Sequence, residues 1–269
     1  MSSSIQKQSK VLVILGMHRS GTSLTTQWLY KMGLHVGDAL LGAAESNKDG
    51  HFEDLDFFHF HKDILDSNDV LYYASRKDNI SITEAEHQRA QELIKSKAAE
   101  EQWAWKDPRT CLFIEFWDEL LRKQSLSPKY LLVYRPLEQV VDSLVRRDIV
   151  ELKSNPNPLK RWVHLRRYQK GLKKLQHAYK ESWINHLLEM KRLAEREPKD
   201  CLILDASTLL NKQKKIHRKL TEDWGFKLEY LDFETIYDKS QLASLASISK
   251  YADKEIQELH DFFTKEMDF

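Results

Sequence analysis

The sequence predicts an α/β fold with a doubly wound, mostly parallel central sheet and helices on both faces. Short apolar, β-branched runs such as residues 11–15 (VLVIL) alternate with segments of helical periodicity. These runs are apolar at successive positions, which is typical of strands buried on both faces of a parallel sheet. At 269 residues the chain is long enough for one large domain. We expect a disordered polar tail at residues 1–10 and a single domain over residues 11–269.

The elements follow one another in a regular order along the chain. The first strand ends at Gly16, and Trp28 and Met32 then recur at helical spacing before Gly33 ends the helix. Four further strands are predicted, at residues 34–36, 103–105, 130–134 and 201–204.

A long helical region interrupts this alternation. Pro156 and Pro158 (NPNP) start it, and helical periodicity continues from Leu159 to about Glu195 before Pro198 ends it. We interpret residues 150–198 as a helical insertion or lid on the same domain. Between Arg146 and Lys180 the segment carries eleven basic and two acidic residues. These basic residues either steer an anionic donor or acceptor to the protein or form a solvated helix face.

Composition excludes several classes of protein. The chain is 41% hydrophobic and 31% charged with a formal charge of +1, so a general affinity for nucleic acids is not expected. No apolar run approaches the roughly 18 residues that cross a bilayer. We therefore expect no integral membrane segment and a cytoplasmic location, where the two cysteines remain reduced.

The stretch GMHRSGTS, residues 16–23, has the spacing of a phosphate-binding loop. A glycine-rich turn between a strand and a helix points backbone N–H groups at one anion, which the helix dipole also favours. Thr22 stands where nucleotide triphosphatases have a lysine, and Arg19 is the nearest cation. The loop therefore favours a phosphate-linked anion over a magnesium triphosphate. The alternative is a purely structural turn.

A second group of residues follows the strand at 130–134. Arg135 stands at its carboxyl end, where ligands bind in such sheets. Ser143 and Arg147 are four residues apart on the next helix and share one flank. These three side chains are predicted to converge on one phosphate. The alternative is a set of solvated helix charges, which we adopt for Arg146.

Together the two motifs resemble the sulfotransferases that use 3′-phosphoadenosine 5′-phosphosulfate. The loop matches the family pattern [KR]-[ST]-G-[ST]-[ST], and an arginine at a strand end is followed eight residues later by a serine. An arginine in the loop resembles the carbohydrate, tyrosylprotein and bacterial branches. The resemblance implies a P-loop fold like that of nucleotide kinases. It implies donor binding by His18, Arg19, Ser20, Gly21, Thr22, Ser23, Arg135, Ser143 and Arg147.

The resemblance also implies the chemistry. A sulfuryl group moves to the hydroxyl of a small molecule or glycan, adenosine 3′,5′-bisphosphate is released, and no metal is required. Lys106 and Arg109 lie in a KDPR segment at a strand end. Lys106 is expected to act in catalysis with Arg19 by stabilising the transferring oxygens. Arg109 either binds substrate or pairs with Asp107, which is otherwise a helix cap.

A base is needed near the acceptor hydroxyl. Members of the family that this chain resembles often carry an N-x-x-G-aromatic-E segment, and this chain fits it with one residue inserted. Glu53 is the first candidate, His51 the second and Glu45 the third. His59 and His61 lack the spacing of a metal site, so no metal ligand is assigned.

Two other functions remain open. Residues 202–205 (LILD) resemble a strand whose aspartate holds magnesium in nucleotide kinases, so Asp205 and Arg19 are compatible with a small-molecule kinase using Mg-ATP. The other hypothesis is a non-catalytic scaffold that kept the nucleotide-binding fold. The glycine-rich C-terminal segment of cytosolic sulfotransferases is absent, so adenine contacts are not assigned.

Overall fold

The computed structural model describes residues 9–42, 50–71, 80–205, 208–236 and 253–267. In these residues four parallel strands form one sheet in the order β2-β1-β3-β4. The strands are β1 Lys10–Leu15, β2 Gln102–Lys106, β3 Lys129–Tyr134 and β4 Cys201–Asp205. The predicted α/β class and parallel sheet are confirmed.

Eight α-helices surround the sheet in the described residues. They are α1 Thr22–Lys31, α2 Leu55–Ser67, α3 Glu84–Lys97, α4 Ile114–Lys123, α5 Leu137–Lys153, α6 Pro158–Arg196, α7 Leu209–Arg218 and α8 Lys254–Glu266. A 3₁₀ helix at Pro108–Phe113 follows β2, and a shorter one spans Phe233–Thr235. The segment Lys219–Asp223 is a π-helix.

Both faces of the sheet are covered because successive residues of each strand point to opposite sides. From β1, Val11 and Val13 join a core with α2 to α6 and α8, whereas Leu12 and Ile14 join a second core with α1 and α7. All four side chains are buried. This burial of consecutive apolar residues is the physical basis of the sequence pattern.

The predicted strand at residues 34–36 is wrong. His35 makes only an isolated bridge to Trp103, with the Ala104 N–H donating to the His35 carbonyl. Gly33 and Gly37 flank the segment with positive φ angles of 95° and 134°. These left-handed residues turn the chain at each end and limit pairing to one position.

The predicted long helix is present as α6, and its two halves differ. Pro158 occupies its first turn, and the Asn157 side chain accepts hydrogen bonds from the N–H groups of Leu159 and Lys160. No residue from 158 to 178 is buried, whereas the second half contributes Trp183, Leu187 and other side chains to the core. In the first half, the Tyr168 hydroxyl donates to Asp148 of α5.

The predicted polar tail falls mostly on residues 1–8, outside the described residues. Within the described residues, every helix is too short or too polar to cross a lipid bilayer.

Candidate anion-binding and catalytic site

The candidate site lies at the carboxyl edge of the sheet. Because all four strands run parallel, the segments that follow them meet at one edge. The loop at residues 16–23 follows β1, Lys106 ends β2, and Arg135 follows β3. The topology therefore gathers three predicted motifs that are far apart in sequence.

The loop after β1 is shaped by its two glycines. A Cβ at Gly16 would lie 2.7 Å from the carbonyl oxygen of Val133, so the loop packs directly against β3. Gly21 is left-handed, with φ 95°, and is the N-cap residue of α1. Among the described residues no side chain caps α1, and the buried Ser20 hydroxyl has no hydrogen-bond partner. A helix start without a side-chain cap is a place where an anion can bind.

Arg19 connects the two predicted anion-binding motifs. It adopts a left-handed φ of 69°. Its Nε donates to Ser143 Oγ at 3.0 Å, and its carbonyl accepts from Arg135 Nη1 at 2.7 Å. Arg135 and Ser143 therefore lie on the same side of the sheet as the loop and adjoin it.

Arg147 has different contacts from the other two members of its predicted cluster. Its guanidinium pairs with Asp148, with Nη2 2.8 Å from Oδ1. Asp148 also accepts hydrogen bonds from the hydroxyls of Tyr168 and Tyr179. Arg147 is thus fixed at the junction of α5 and α6, where it lines a cavity at the carboxyl edge of the sheet.

Lys106 and Glu53 form a buried ion pair at the end of β2. Lys106 Nζ lies 2.9 Å from Glu53 Oε1 and donates to Ser23 Oγ at 3.2 Å. Arg109 Nη1 lies 3.7 Å from the other carboxylate oxygen of Glu53. Lys106 is 1% exposed and Glu53 5%. Glu53, the first candidate for the base, is therefore held between the cations Lys106 and Arg109.

His51 lies beside this pair, and Glu45 falls outside the described residues. The His51 carbonyl accepts from Ser23 Oγ at 3.1 Å. Burial lowers the pKa of His51, with Lys106, Arg19 and Arg109 adding to that shift and Glu53 opposing it. A neutral imidazole at neutral pH follows.

Asp107 positions Arg109 by accepting two hydrogen bonds from it. Its Oδ1 accepts from the backbone N–H of Arg109 at 2.9 Å and from Nη1 at 2.8 Å. Its Oδ2 lies 2.9 Å from His61 Nδ1, and Trp117 Nε1 donates to His61 Nε2 at 2.8 Å. Since an indole N–H only donates, His61 Nε2 accepts and Nδ1–H donates to Asp107. Both sequence alternatives for Asp107, helix cap and ion pair, are present together.

The pKa of Asp107 reflects these contacts. Burial by itself raises it, but Arg109 and His61 lower it to about 2. Asp107 stays ionised and holds Arg109 at all ordinary pH values. By contrast, His59 is exposed and His61 buried, so the two histidines do not share a site.

Helix α6 contributes residues that sequence analysis missed. Trp183 Nε1 donates to the Arg135 carbonyl at 2.9 Å. The His186 ring lies 6.4 Å from the His18 ring, centroid to centroid. Burial lowers the pKa of His186 to about 4 and the pKa of His18 well below its usual value. Only the fold brings α6 here, because neither residue belongs to a motif in the sequence.

These elements enclose a cavity of about 110 Å³. Its lining residues are His18, Arg19, Thr22, Ser23, Leu41, His51, Glu53, Phe58, Lys106, Pro108, Arg109 and Arg147. Four of them are cations and one is a carboxylate, an excess of three positive charges. Such a lining favours an anionic group over a neutral one.

A larger cavity, of about 640 Å³, lies away from this chemistry. It is lined by Cys201 at the start of β4, Lys215 of α7 and Phe262 of α8, among others. It contains no predicted site residue and adjoins the opposite end of β4. We assign the candidate site to the smaller, charged cavity.

One group of carboxylates in the described residues has the spacing of a metal site. It comprises Asp38, Asp54 and Asp56. The Lys97 ammonium lies 2.8 to 2.9 Å from one oxygen of each. Burial opposes the charge of Lys97, but its hydrogen bonds to the three carboxylates raise its pKa. A protein cation thus occupies the centre of this group.

Asp205, the residue that a kinase would use for magnesium, ends β4 opposite Tyr134 of β3. The order β1-β3-β4 places it two strands from the loop strand, a distance of about 10 Å. Arg135, which follows β3, lies between them in the sheet order. This arrangement disfavours a magnesium ion shared by Asp205 and the loop.

Comparisons with protein-family models, with curated proteins and with solved structures found no match for this chain.

Proposed function

We propose that this chain is a sulfotransferase that moves a sulfuryl group from 3′-phosphoadenosine 5′-phosphosulfate to a hydroxyl acceptor. The observation that carries the proposal is the contact of Arg19 with both Ser143 and Arg135. A donor with a 5′-phosphosulfate and a separate 3′-phosphate needs two adjoining anion sites. A magnesium triphosphate needs a lysine and a nearby magnesium ligand instead.

The charge of the cavity supports this assignment. Arg19, Lys106, Arg109 and Arg147 exceed Glu53 by three charges. Burial lowers the pKa of His18, and the charges of Arg109, Arg147 and Lys106 lower it further. Bound negative charge therefore relieves an unfavourable surplus of positive charge. Arginine forks also bind phosphate oxygens in a bidentate manner.

In the proposed reaction the acceptor oxygen bonds to sulfur while the bond from sulfur to the bridging phosphate oxygen breaks. The electron pair of that bond stays on the departing adenosine 3′,5′-bisphosphate. Lys106 and Arg19 stabilise the charge on the transferring and bridging oxygens. The acceptor proton passes to Glu53 or His51. A glycan or glycolipid hydroxyl is the proposed acceptor class, from the resemblance of the loop alone.

The choice of base is open to a direct test. Glu53 faces two cations through its two oxygens, whereas His51 is a neutral imidazole in the cavity wall. If Glu53 is the base, Glu53→Gln lowers kcat by at least about 100-fold, and His51→Gln has a much smaller effect. The reverse pattern would assign the base to His51. Single-turnover rates measured across pH make this comparison.

Titration calorimetry with the full chain tests the proposal as a whole. We expect adenosine 3′,5′-bisphosphate to bind in the presence of a metal chelator, at least about tenfold more tightly than adenosine 5′-monophosphate. Arg135→Ala should remove most of that difference, and Arg146→Ala, on the exposed side of α5, should not. Binding of ATP that depends on magnesium would replace the proposal with a kinase. If neither nucleotide binds, the result favours the hypothesis of a non-catalytic scaffold.

A further inference from the structure

The helical hairpin formed by α5 and the first half of α6 has a surface unlike the rest of the molecule. From Val145 to Ala178 no residue is buried. Residues 152–180 contain nine lysines and arginines and no aspartate or glutamate, in a chain whose formal net charge is +1. This segment is therefore a concentrated positive charge that extends from the protein body.

Most of these cations have no compensating anion. They are Lys153, Lys160, Arg161, Arg166, Arg167, Lys170, Lys173 and Lys174, and all are exposed. Within the described part of the chain none of these eight makes an ion pair; Lys180, nearer the body, pairs with Asp253. A solvated helix face of ordinary composition carries both signs, with pairs at i and i+4. This face repels other cations and attracts an extended negative surface.

Exposed apolar side chains lie among the charges at the hairpin tip, which we define as residues 150–162 around the connection between α5 and α6. The described residues include six exposed large hydrophobic side chains, and three of them are Val150, Leu159 and Trp162. They are 46%, 76% and 58% exposed, and all lie within about two helical turns of the connection between α5 and α6. Leu159 and Trp162 are three residues apart and share a face of α6.

We propose that this tip docks on the surface of an anionic lipid bilayer. Tryptophan and branched aliphatic side chains enter the boundary between headgroups and acyl chains. Lysine and arginine are attracted by anionic headgroups within a Debye length of the surface. The Arg166 guanidinium lies 5.0 Å from the centroid of the Trp162 ring, so an apolar ring and a cation are presented together.

The combination of charge and apolar exposure selects this partner over a soluble polyanion. A glycan or nucleic acid binds the cations and stacks on Trp162, but it gains little from burying Leu159 and Val150. A bilayer uses all of these side chains. The proposal does not depend on the reaction, because it concerns binding alone.

The tip is also placed suitably with respect to the candidate site. Arg147, in the cavity wall, precedes Val150 by three residues on α5. At 1.5 Å per residue this is a rise of about 5 Å along the helix. A docked hairpin therefore holds the cavity close to the membrane surface.

Tryptophan fluorescence of the full chain tests the proposal directly. All seven tryptophans are described, and the other six are at most 8% exposed, so Trp162 alone is accessible to a collisional quencher. Vesicles that mix phosphatidylcholine and phosphatidylglycerol should protect Trp162 from iodide, and brominated acyl chains should quench it. Trp162→Phe should remove both responses. Absence of protection and of bromine quenching would overturn the proposal.

Sedimentation with the same vesicles separates the contributions of the side chains. Arg166→Glu with Lys170→Glu should weaken binding by at least about tenfold, and so should Leu159→Ser with Trp162→Ser. The matched control is Lys199→Glu with Lys214→Glu, which makes the same charge change at exposed positions outside the hairpin and should have little effect. If the charge change acts but Leu159→Ser with Trp162→Ser does not, and dextran sulfate competes fully, the surface binds soluble polyanions and the lipid proposal is wrong.

Discussion

The cavity at the sheet edge and the α5–α6 hairpin carry similar positive charges in opposite settings. Lys106 is 1% exposed and lies 2.9 Å from a buried carboxylate. Arg166 and Lys170 are exposed and make no ion pair with any described residue. A buried ammonium needs a fixed anion because the interior solvates charge poorly. The same group on a surface is stabilised by water.

The two settings suit different kinds of anionic partner. Compensation by Glu53 and Asp107 fixes Lys106 and Arg109 at defined distances, which suits the recognition of one small anion. The hairpin cations keep their rotamer freedom and suit an extended, variable surface.

The largest effect is expected from breaking the buried pair. Lys106→Met leaves Glu53 as a buried carboxylate with only Arg109, 3.7 Å away, to compensate it. The free energy of unfolding should fall by about 3–5 kcal/mol, measured by urea denaturation. Lys106→Met combined with Glu53→Gln should recover most of the loss. A loss below about 1 kcal/mol for the single variant would contradict a buried, compensated pair.

Removing the Arg19 guanidinium, which contacts Ser143, should affect the reaction more than the fold. With Arg19→Ala, transfer from labelled donor should fall by about 100- to 1000-fold, the usual consequence of losing one donor at a developing charge. The melting temperature should change little, since Arg19 lies on a partly exposed loop. Arg146→Ala is the matched control. Full activity of Arg19→Ala would remove the central residue of the proposed site.

The buried histidine of α6 should make the fold sensitive to acid. Burial lowers the pKa of His186 from 6.5 to about 4 in the folded state, so the unfolded chain binds the proton first as the pH falls. Stability is fully present above about 6.5 and is lost towards pH 4, by about 3 kcal/mol for this residue. In urea unfolding across that interval, His186→Gln should show a smaller loss than wild type. Equal pH slopes would contradict this assignment.

The smallest effect is expected from the hairpin. Arg166→Ala or Lys170→Ala should change the free energy of unfolding by less than about 0.5 kcal/mol, because neither charge pairs with a described carboxylate. Calorimetric melting of each variant checks this. A loss above about 1 kcal/mol would mean that these cations stabilise the fold and are not free for a partner.

Much of the fold was predictable because it depends on local patterns. Successive apolar residues in β1, β3 and β4 predict buried parallel strands. The segment at residues 34–36 (LHV) has an apolar residue on either side of His35, but pairing also requires an extended segment of sufficient length. The flanking turns at Gly33 and Gly37 prevented it. Local composition does not contain that information.

The candidate site also has a part that the sequence predicted and a part that it did not. Most of the cavity lining, including Arg19, Lys106 and Arg109, was predicted because ligand-binding residues follow strand ends in such folds. The contacts of His61, Trp183 and His186 were missed, since each lies in a helix whose sequence shows only ordinary core periodicity. Their roles come from packing against strand ends more than 45 residues away in sequence, as the 46-residue separation of His61 and Asp107 illustrates.

By itself the sequence determined the fold class, the glycine loop without its lysine, and the charge of the α5–α6 hairpin, because periodicity, glycine positions and charge counts are properties of neighbouring residues. Only the tertiary structure decided which charges compensate one another, that Arg19 touches both Ser143 and Arg135, and which half of α6 is buried. Those outcomes depend on distances between residues far apart in the chain, and the parallel order of the strands sets those distances.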